Sequence, residues 1–326
     1  MTPRLLLHRL SLTEAEAELI PTTADALRTA SFIDGRTDFS SGPVRTVTLP
    51  EFLRSEQAAA PAARMVFNTG FCGSTLLARL IDVPGQSLVL REPNCLADLA
   101  NQRAASDRQG VVLDGFGNTL SAVTRHLSRP WAEGETIVVK PSSWANSLVP
   151  MIAHGAALYP LFLVSTREQY LKSVFRGGPA RLAFAARAAV HLSSAGDEEA
   201  RLVDAALRAD EDQIGQLVRA AVTGFEIQLR RFRAAALARG WGSDHWLEQS
   251  ALIAEPKEAV GKAARALALD LDPDAIAANV DAWAGRHAKN PSDLFSYRRQ
   301  DEAISAADHN RIAEVLGWAA AAFDSR

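Results

Sequence analysis

Four short apolar runs frame the chain: residues 64–68, 87–90, 136–139 and 161–164. Between them Leu96 and Leu99, then Leu120, Val123 and Leu127, then Trp144, Leu148 and Ile152 recur at three- and four-residue spacing, which predicts helices burying one face on a sheet. Strands alternating with such helices predict an α/β fold with a parallel sheet, whose ligands bind at the carboxyl ends of the strands. Before residue 62 the pattern is mixed: a helix over 14–19, a Pro-Thr-Thr stop, a polar loop through Asp34-Gly35-Arg36 and a β-like stretch over 44–49. Leu12, Leu19, Ile20, Leu27, Phe32 and Ile33 need burial, so this part reads as an ordered elaboration. Over 181–239 the strand signal fades, and Leu202, Ala206, Ile214, Leu217, Val218, Ala221, Phe225, Leu229 and Phe232 outline helix faces. This predicts a helical insertion, either a lid over the sheet or a surface for a homo-oligomer. A last short strand over 246–253, a helix over 256–269 and a C-terminal helix over 311–323 complete the pattern.

Composition narrows the partners. With 326 residues and a net charge of −3, the chain has room for a large core and no general attraction for polyanions, so no nucleic-acid partner is expected. The apolar stretch 156–164 is about half of what a bilayer span requires. No membrane partner is expected, and the leucines of residues 1–10 are broken by Arg4, His8 and Arg9 without a signal-peptide pattern. Cys72 and Cys95 fall in or just after expected buried strands, as suits reduced thiols; the chain is placed in the cytoplasm.

The chemistry concentrates after the first apolar run, in Asn68-Thr69-Gly70-Phe71-Cys72-Gly73-Ser74-Thr75. Gly70 and Gly73 let the backbone turn tightly and approach a ligand. Ser74, Thr75 and the free N–H groups of the next helical turn face an anion. Against G-x-x-x-x-G-K-[ST], Ser74 replaces the lysine and Asn68 the first glycine, which disfavours an ordinary ATPase or GTPase. The plainer alternative is a glycine turn without a ligand. Lys140, the first lysine of the chain, ends the third apolar run. It is either a cation for the loop or a surface lysine. Tyr159-Pro160 precedes the fourth run, and Ser165, Thr166, Arg167 and Ser173 follow it.

In these motifs the stretch 65–175 resembles the sulfotransferase family, the P-loop branch that uses 3′-phosphoadenosine 5′-phosphosulfate, especially its bacterial members. The family loop reads like G-F-x-R-S-G-T-T-L-L, its next lysine like K-T-P, and its third motif like F-P-x-x-x-x-I-x-x-x-R-D-P followed by a serine. The resemblance implies a three-layer parallel sheet of the P-loop/sulfotransferase type with a helical insertion. The chain divides into an N-terminal elaboration (1–62), the P-loop α/β core (63–178), a helical insertion or lid (179–240) and a C-terminal part of the core (241–326). The resemblance makes Gly70, Phe71, Cys72, Gly73, Ser74 and Thr75 the cradle of the 5′-phosphosulfate, with Arg167 and Ser173 for the 3′-phosphate. Arg286 and Lys289, in Gly285-Arg286-His287-Ala288-Lys289-Asn290-Pro291, stand for the late basic loop that closes over the nucleotide; a solvated basic turn is the alternative. Two departures stand out. Phe71 aligns with the family's basic loop residue, and the arginine-to-serine interval is two residues short, which lets Ser165 fall at the family's arginine position.

Glu92 follows the second run, where related enzymes carry a base, and a carboxylate there can take the acceptor's proton; it also suits the positive end of the helix beginning near Pro93. Arg91 contacts an acceptor or solvates the rim. Ser142 or Ser143 suits a helix N-cap, and Trp144 reads as core rather than an adenine platform. No metal site is expected. The expected function is sulfuryl transfer to a small-molecule or peptide acceptor bearing a hydroxyl or amine, with Glu92 and Lys140 catalytic. The alternative is a sulfotransferase-like binding protein without turnover.

Overall fold

The computed structural model describes residues 3–324 apart from 156, 211, 284 and 295–303. Its centre is a five-stranded, all-parallel sheet of β4 (Ala63–Asn68), β5 (Ser87–Arg91), β6 (Thr136–Lys140), β7 (Leu158–Val164) and β8 (Trp246–Glu248), in the order β5-β6-β4-β7-β8. The strands are continuous apolar runs because both faces are covered. Met65, Phe67, Leu88, Leu90, Ile137, Val139 and Phe162 pack on one side, and Val66, Val89, Val138, Leu161, Leu163 and Leu247 on the other. The fold class expected from periodicity is the one observed.

Helices α4 (Asn94–Gln109), α5 (Phe116–Leu127), α6 (Val149–Gly155) and the end of α10 (Gln213–Arg239) supply the first side with Leu96, Leu99, Leu120, Ile152 and Phe232. Helices α3 (Ser74–Leu80), α12 (Pro256–Ala266) and α13 (Pro273–Trp283) supply the second with Leu77, Val260 and Val280. From β4 the chain goes outward to β5 and later crosses to β7 on the other flank. The carboxyl end of β4 is therefore the switch point of the sheet, the position at which open parallel sheets bind ligands. Its two neighbours grip it unequally: β4 runs in register with β7 from Ala63↔Leu158 to Asn68↔Leu163, but with β6 only at Met65↔Val139.

The N-terminal part corrects one expectation. Residues 14–19 are not a helix: β1 (Arg4–Ser11), β2 (Glu16–Thr22) and β3 (Arg45–Thr48) form an antiparallel sheet. Glu16 and Glu18 alternate with buried Ala17 and Leu19, and that period of two, paired with β1, overrides the helix propensity of the glutamates and alanines. Short helices α1 (Ala24–Thr29) and α2 (Leu49–Ser55) flank β3. Leu6, Leu7 and Leu10 join the same buried cluster as Phe67 and Val139.

The stretch expected to be helical over 181–239 holds α8 (Gly178–Leu192), α9 (Asp197–Arg208) and α10, and α7 (Arg167–Arg176) precedes them. With the C-terminal helix α14 (Ala306–Phe323), α7, α8 and α10 bury Tyr170, Leu182, Phe225 and Ile312 in a cluster of their own. At Gly224 a Cβ would come 2.7 Å from that of Ala189, so α8 and α10 cross at close quarters. The expected strand over 246–253 is strand only in β8; α11 (Gln249–Ala254) follows at once. A final hairpin pairs β9 (Arg286–His287) with β10 (Asn290–Leu294). Among the described residues no helix is long and apolar enough to cross a membrane, and both cysteines are free and buried.

Candidate functional site

The 70–75 loop follows β4 at the switch point and leads into α3. Gly70 (φ +79), Phe71 (φ +55) and Gly73 (φ +81) all hold left-handed backbone, which turns successive amides into a concavity suited to anions. At Gly70 a Cβ would stand 3.2 Å from Ser143 Oγ, so the glycine lets two loops close on each other. Phe71 is the exception, a bulky residue in a region that disfavours it. Packing holds it there: its ring centroid lies 5.9 Å from Tyr170 and 6.2 Å from Phe184. Cys72 is buried with Sγ 3.5 Å from the Leu163 carbonyl, and burial pushes its thiol above the ordinary value. It is a packing residue.

Amide side chains brace the loop from beneath. Asn68 accepts from the Gly70 N–H (3.2 Å) and donates to the Pro141 carbonyl (3.1 Å). Asn146 donates to the Asn68 carbonyl (2.8 Å) and to Gln228 on α10 (2.7 Å). Ser142 caps the 3₁₀ segment Ser143–Leu148 that carries Asn146. Trp144 is half-buried, stacked 4.2 Å from His191, with its indole N–H on Asn101.

Beside the loop the structure brings Glu92, Lys140 and Lys289 together. Lys140, 1% exposed at the end of β6, donates from Nζ to Glu92 Oε1 at 2.5 Å. Glu92 is itself left-handed (φ +59), with its N–H on the Lys140 carbonyl at 2.7 Å, so backbone and side chain both tie the two strand ends. Two residues that the sequence did not mark as site residues, Arg36 and Phe32, join them. Arg36 reaches Glu92 Oε2 at 3.1 Å and also pairs with Asp34, while the Phe32 ring lies within 6.0 Å of Arg36, Lys140 and Lys289. Ser31 Oγ donates to the Lys289 carbonyl, pinning the late basic turn to this N-terminal segment. Lys289 is exposed, with its ammonium 5.7 Å from the Phe32 ring. Partial removal from water lowers its ammonium pKa, Glu92 opposes this, and Lys140, Arg181 and Arg36 add to it. Arg181 of α8 has its guanidinium 5.3 Å from the Phe71 ring.

The remaining candidates sit elsewhere. Arg167, set at the start of α7 by the Thr166–Gln169 capping box, is engaged by Glu226 at Nε (2.5 Å) and by both Asp324 oxygens (2.8 and 2.6 Å). These bonds hold its guanidinium above the ordinary pKa. Ser173 is buried, accepts from Arg176, and offers its carbonyl to Arg181. Ser165 is buried with no partner for Oγ among the described residues. Arg286 is exposed on β9. Arg91 does not solvate a rim: it is buried and binds carbonyls of Leu27, Arg28 and Ala30. Among the described residues no group of three His, Cys, Asp or Glu side chains could hold a metal.

No family model matches the chain, and no curated protein matches it significantly. Two solved structures are similar in shape. The sulfotransferase domain from the curacin biosynthetic pathway is 11% identical over 80% of this chain and 99% of that chain, with a TM-score of 0.44. The sulfotransferase domain from the Synechococcus PCC 7002 olefin synthase is 14% identical over 80% of this chain and 96% of that chain, with a TM-score of 0.36.

Proposed function

We propose that the chain is a sulfotransferase-type enzyme that holds 3′-phosphoadenosine 5′-phosphosulfate over the 70–75 loop and passes its sulfuryl group to a hydroxyl or amine. One observation carries this reading: buried Lys140, paired with the partly exposed Glu92, stands at the strand ends beside a left-handed, glycine-bearing loop at the switch point of the sheet. The donor set fits a phosphosulfate, since a concavity of amides is flanked by Lys140, Lys289 and Arg181, while Glu92 is the carboxylate facing Lys140 and Arg36. As the new bond forms from sulfur to the acceptor's oxygen or nitrogen, Glu92 takes the proton that the acceptor loses. Lys140 offsets the charge gathering on the phosphate oxygen that keeps the electron pair of the breaking bond. Catalysis on this reading is positioning and electrostatic stabilisation.

The reading is tested by calorimetry with 3′-phosphoadenosine 5′-phosphate, where micromolar binding is expected and none at high micromolar ligand rejects it. Release of that nucleotide from the sulfated donor in the presence of candidate acceptors then separates transfer from binding. Both Lys140→Ala and Glu92→Gln should slow it, and unchanged rates in both would remove these roles. The second reading, a binder without turnover, is favoured by the occupation of Arg167 by Glu226 and Asp324. On that reading the nucleotide binds and no donor is consumed.

A further inference from the structure

The loop lacks a cation because Phe71 stands where the resembled family has a basic residue, yet the Phe71 ring is where a cation from another element comes to rest. Arg181 lies 5.3 Å from its centroid. We propose that Arg181, delivered by α8 and seated on the Phe71 ring, is the loop's missing cation and binds the phosphosulfate directly; this rests on the reading above.

Three further observations support the assignment. Arg181 Nη1 donates to the Ser173 carbonyl at 2.7 Å, which fixes the guanidinium against α7 while leaving further donors on the fork. No carboxylate among the described residues pairs with it; burial and then Arg176 lower its pKa, so the chain itself does not answer its charge. Finally, Gly177, with ordinary backbone (φ −87), leaves the space that the guanidinium fills: a Cβ there would overlap Arg181 Nε, Cδ and Cζ. The glycine is thus a seat for the arginine, and the half-buried Phe71 ring is its platform, contributing cation–π attraction. The left-handed strain of Phe71 has a use on this account, because it turns an apolar ring toward the cation while its other contacts tie the loop to the helical layer.

Calorimetry with two probes, 3′-phosphoadenosine 5′-phosphate and inorganic pyrophosphate, tests the assignment on wild type, Arg181→Ala, Arg181→Lys, Phe71→Leu and Gly177→Ala. Arg181→Ala should weaken both probes about 10- to 100-fold. Arg181→Lys should recover part of the loss through its charge, and the other two variants should lose less than Arg181→Ala. Arg9→Ala, in a surface pair with Asp98, should bind as wild type. Wild-type affinity in Arg181→Ala overturns the assignment and leaves the sulfotransferase reading standing. Binding of pyrophosphate but not the nucleotide by wild type overturns that reading, and an Arg181→Ala loss then still supports the anion site. Binding of neither probe removes both. If Arg181→Ala does not fold, Gly177→Ala decides: unchanged affinity for both probes overturns the assignment.

Discussion

Arg91 and Glu92 are neighbours in the chain, yet they belong to two clusters of charge with opposite designs. The cluster around Arg91 is answered by the chain. Its guanidinium meets Asp82 at 2.7 Å and the last carbonyls of α1, while Arg28 meets Asp82 and Glu135. Arg79 adds further donors to the carbonyls of Arg28 and Ala30, so two arginines, Arg91 and Arg79, satisfy a helix end that would otherwise be left buried and unpaired. The cluster around Glu92 is different. Arg36 and Lys140 share Glu92, Arg36 also meets Asp34, and Lys289 stands by them; here too the cations outnumber the carboxylates, but among the described residues no row of helix-end carbonyls takes up the donors of Arg36, Lys140 and Lys289. A closed network holds a fold together; an open one with surplus positive charge is a place for an anion.

That contrast breaks most visibly at Arg91. Arg91→Met should cost about 3–5 kcal/mol of stability by leaving Asp82 and the α1 carbonyls short of donors, read as a lower urea midpoint. The folded fraction should keep its nucleotide affinity; a variant that loses affinity and keeps its midpoint would reverse the two roles. Lys140→Ala should do the opposite, lowering turnover about 10²–10³-fold while moving the midpoint less than Arg91→Met does.

The aromatic wall behind the loop gives a third, pH-dependent effect. His191, buried on Trp144, has its pKa lowered to about 4, chiefly by burial, with Arg108 adding. The unfolded chain protonates this group first, so stability falls as pH drops from about 6.5 and the loss is complete near 4, reaching about 3 kcal/mol. His191→Phe should flatten that part of a urea-midpoint profile against pH; an unchanged slope would place the acid sensitivity elsewhere. The smallest effect belongs to Arg36, whose side chain is 59% exposed. Arg36→Ala should weaken nucleotide binding only about two- to fivefold, diminishing further as salt is raised.

The core strands and the loop were legible because continuous apolar runs and glycines are local signals. Gly70 and Gly73 announce left-handed backbone by composition alone, and Lys140 is marked by ending a strand. The N-terminal sheet was misread because the pairing of 16–22 with β1 is a long-range fact, while the glutamates and alanines locally favour helix. Arg36 and Arg181 carried no readable signal: their spacing to Gly70 says nothing until α1 and α8 have packed. Arg91 shows the converse, since an arginine beside a candidate base reads as a site residue until its carbonyl partners, more than 60 positions away, are in place.

The uneven grip on β4 has a mechanical consequence. With a full ladder to β7 and one register pair to β6, the sheet has a seam between the strand that carries the loop and the strand that carries Lys140. Asn68 and Asn146 stitch across it at one end only, through the Pro141 and Asn68 carbonyls. Packing makes up for the short ladder: Phe67, Val139 and Phe162 on one face and Val66, Val138 and Leu161 on the other lie in clusters that run unbroken across the seam, so side chains hold the cation's strand against the cradle's.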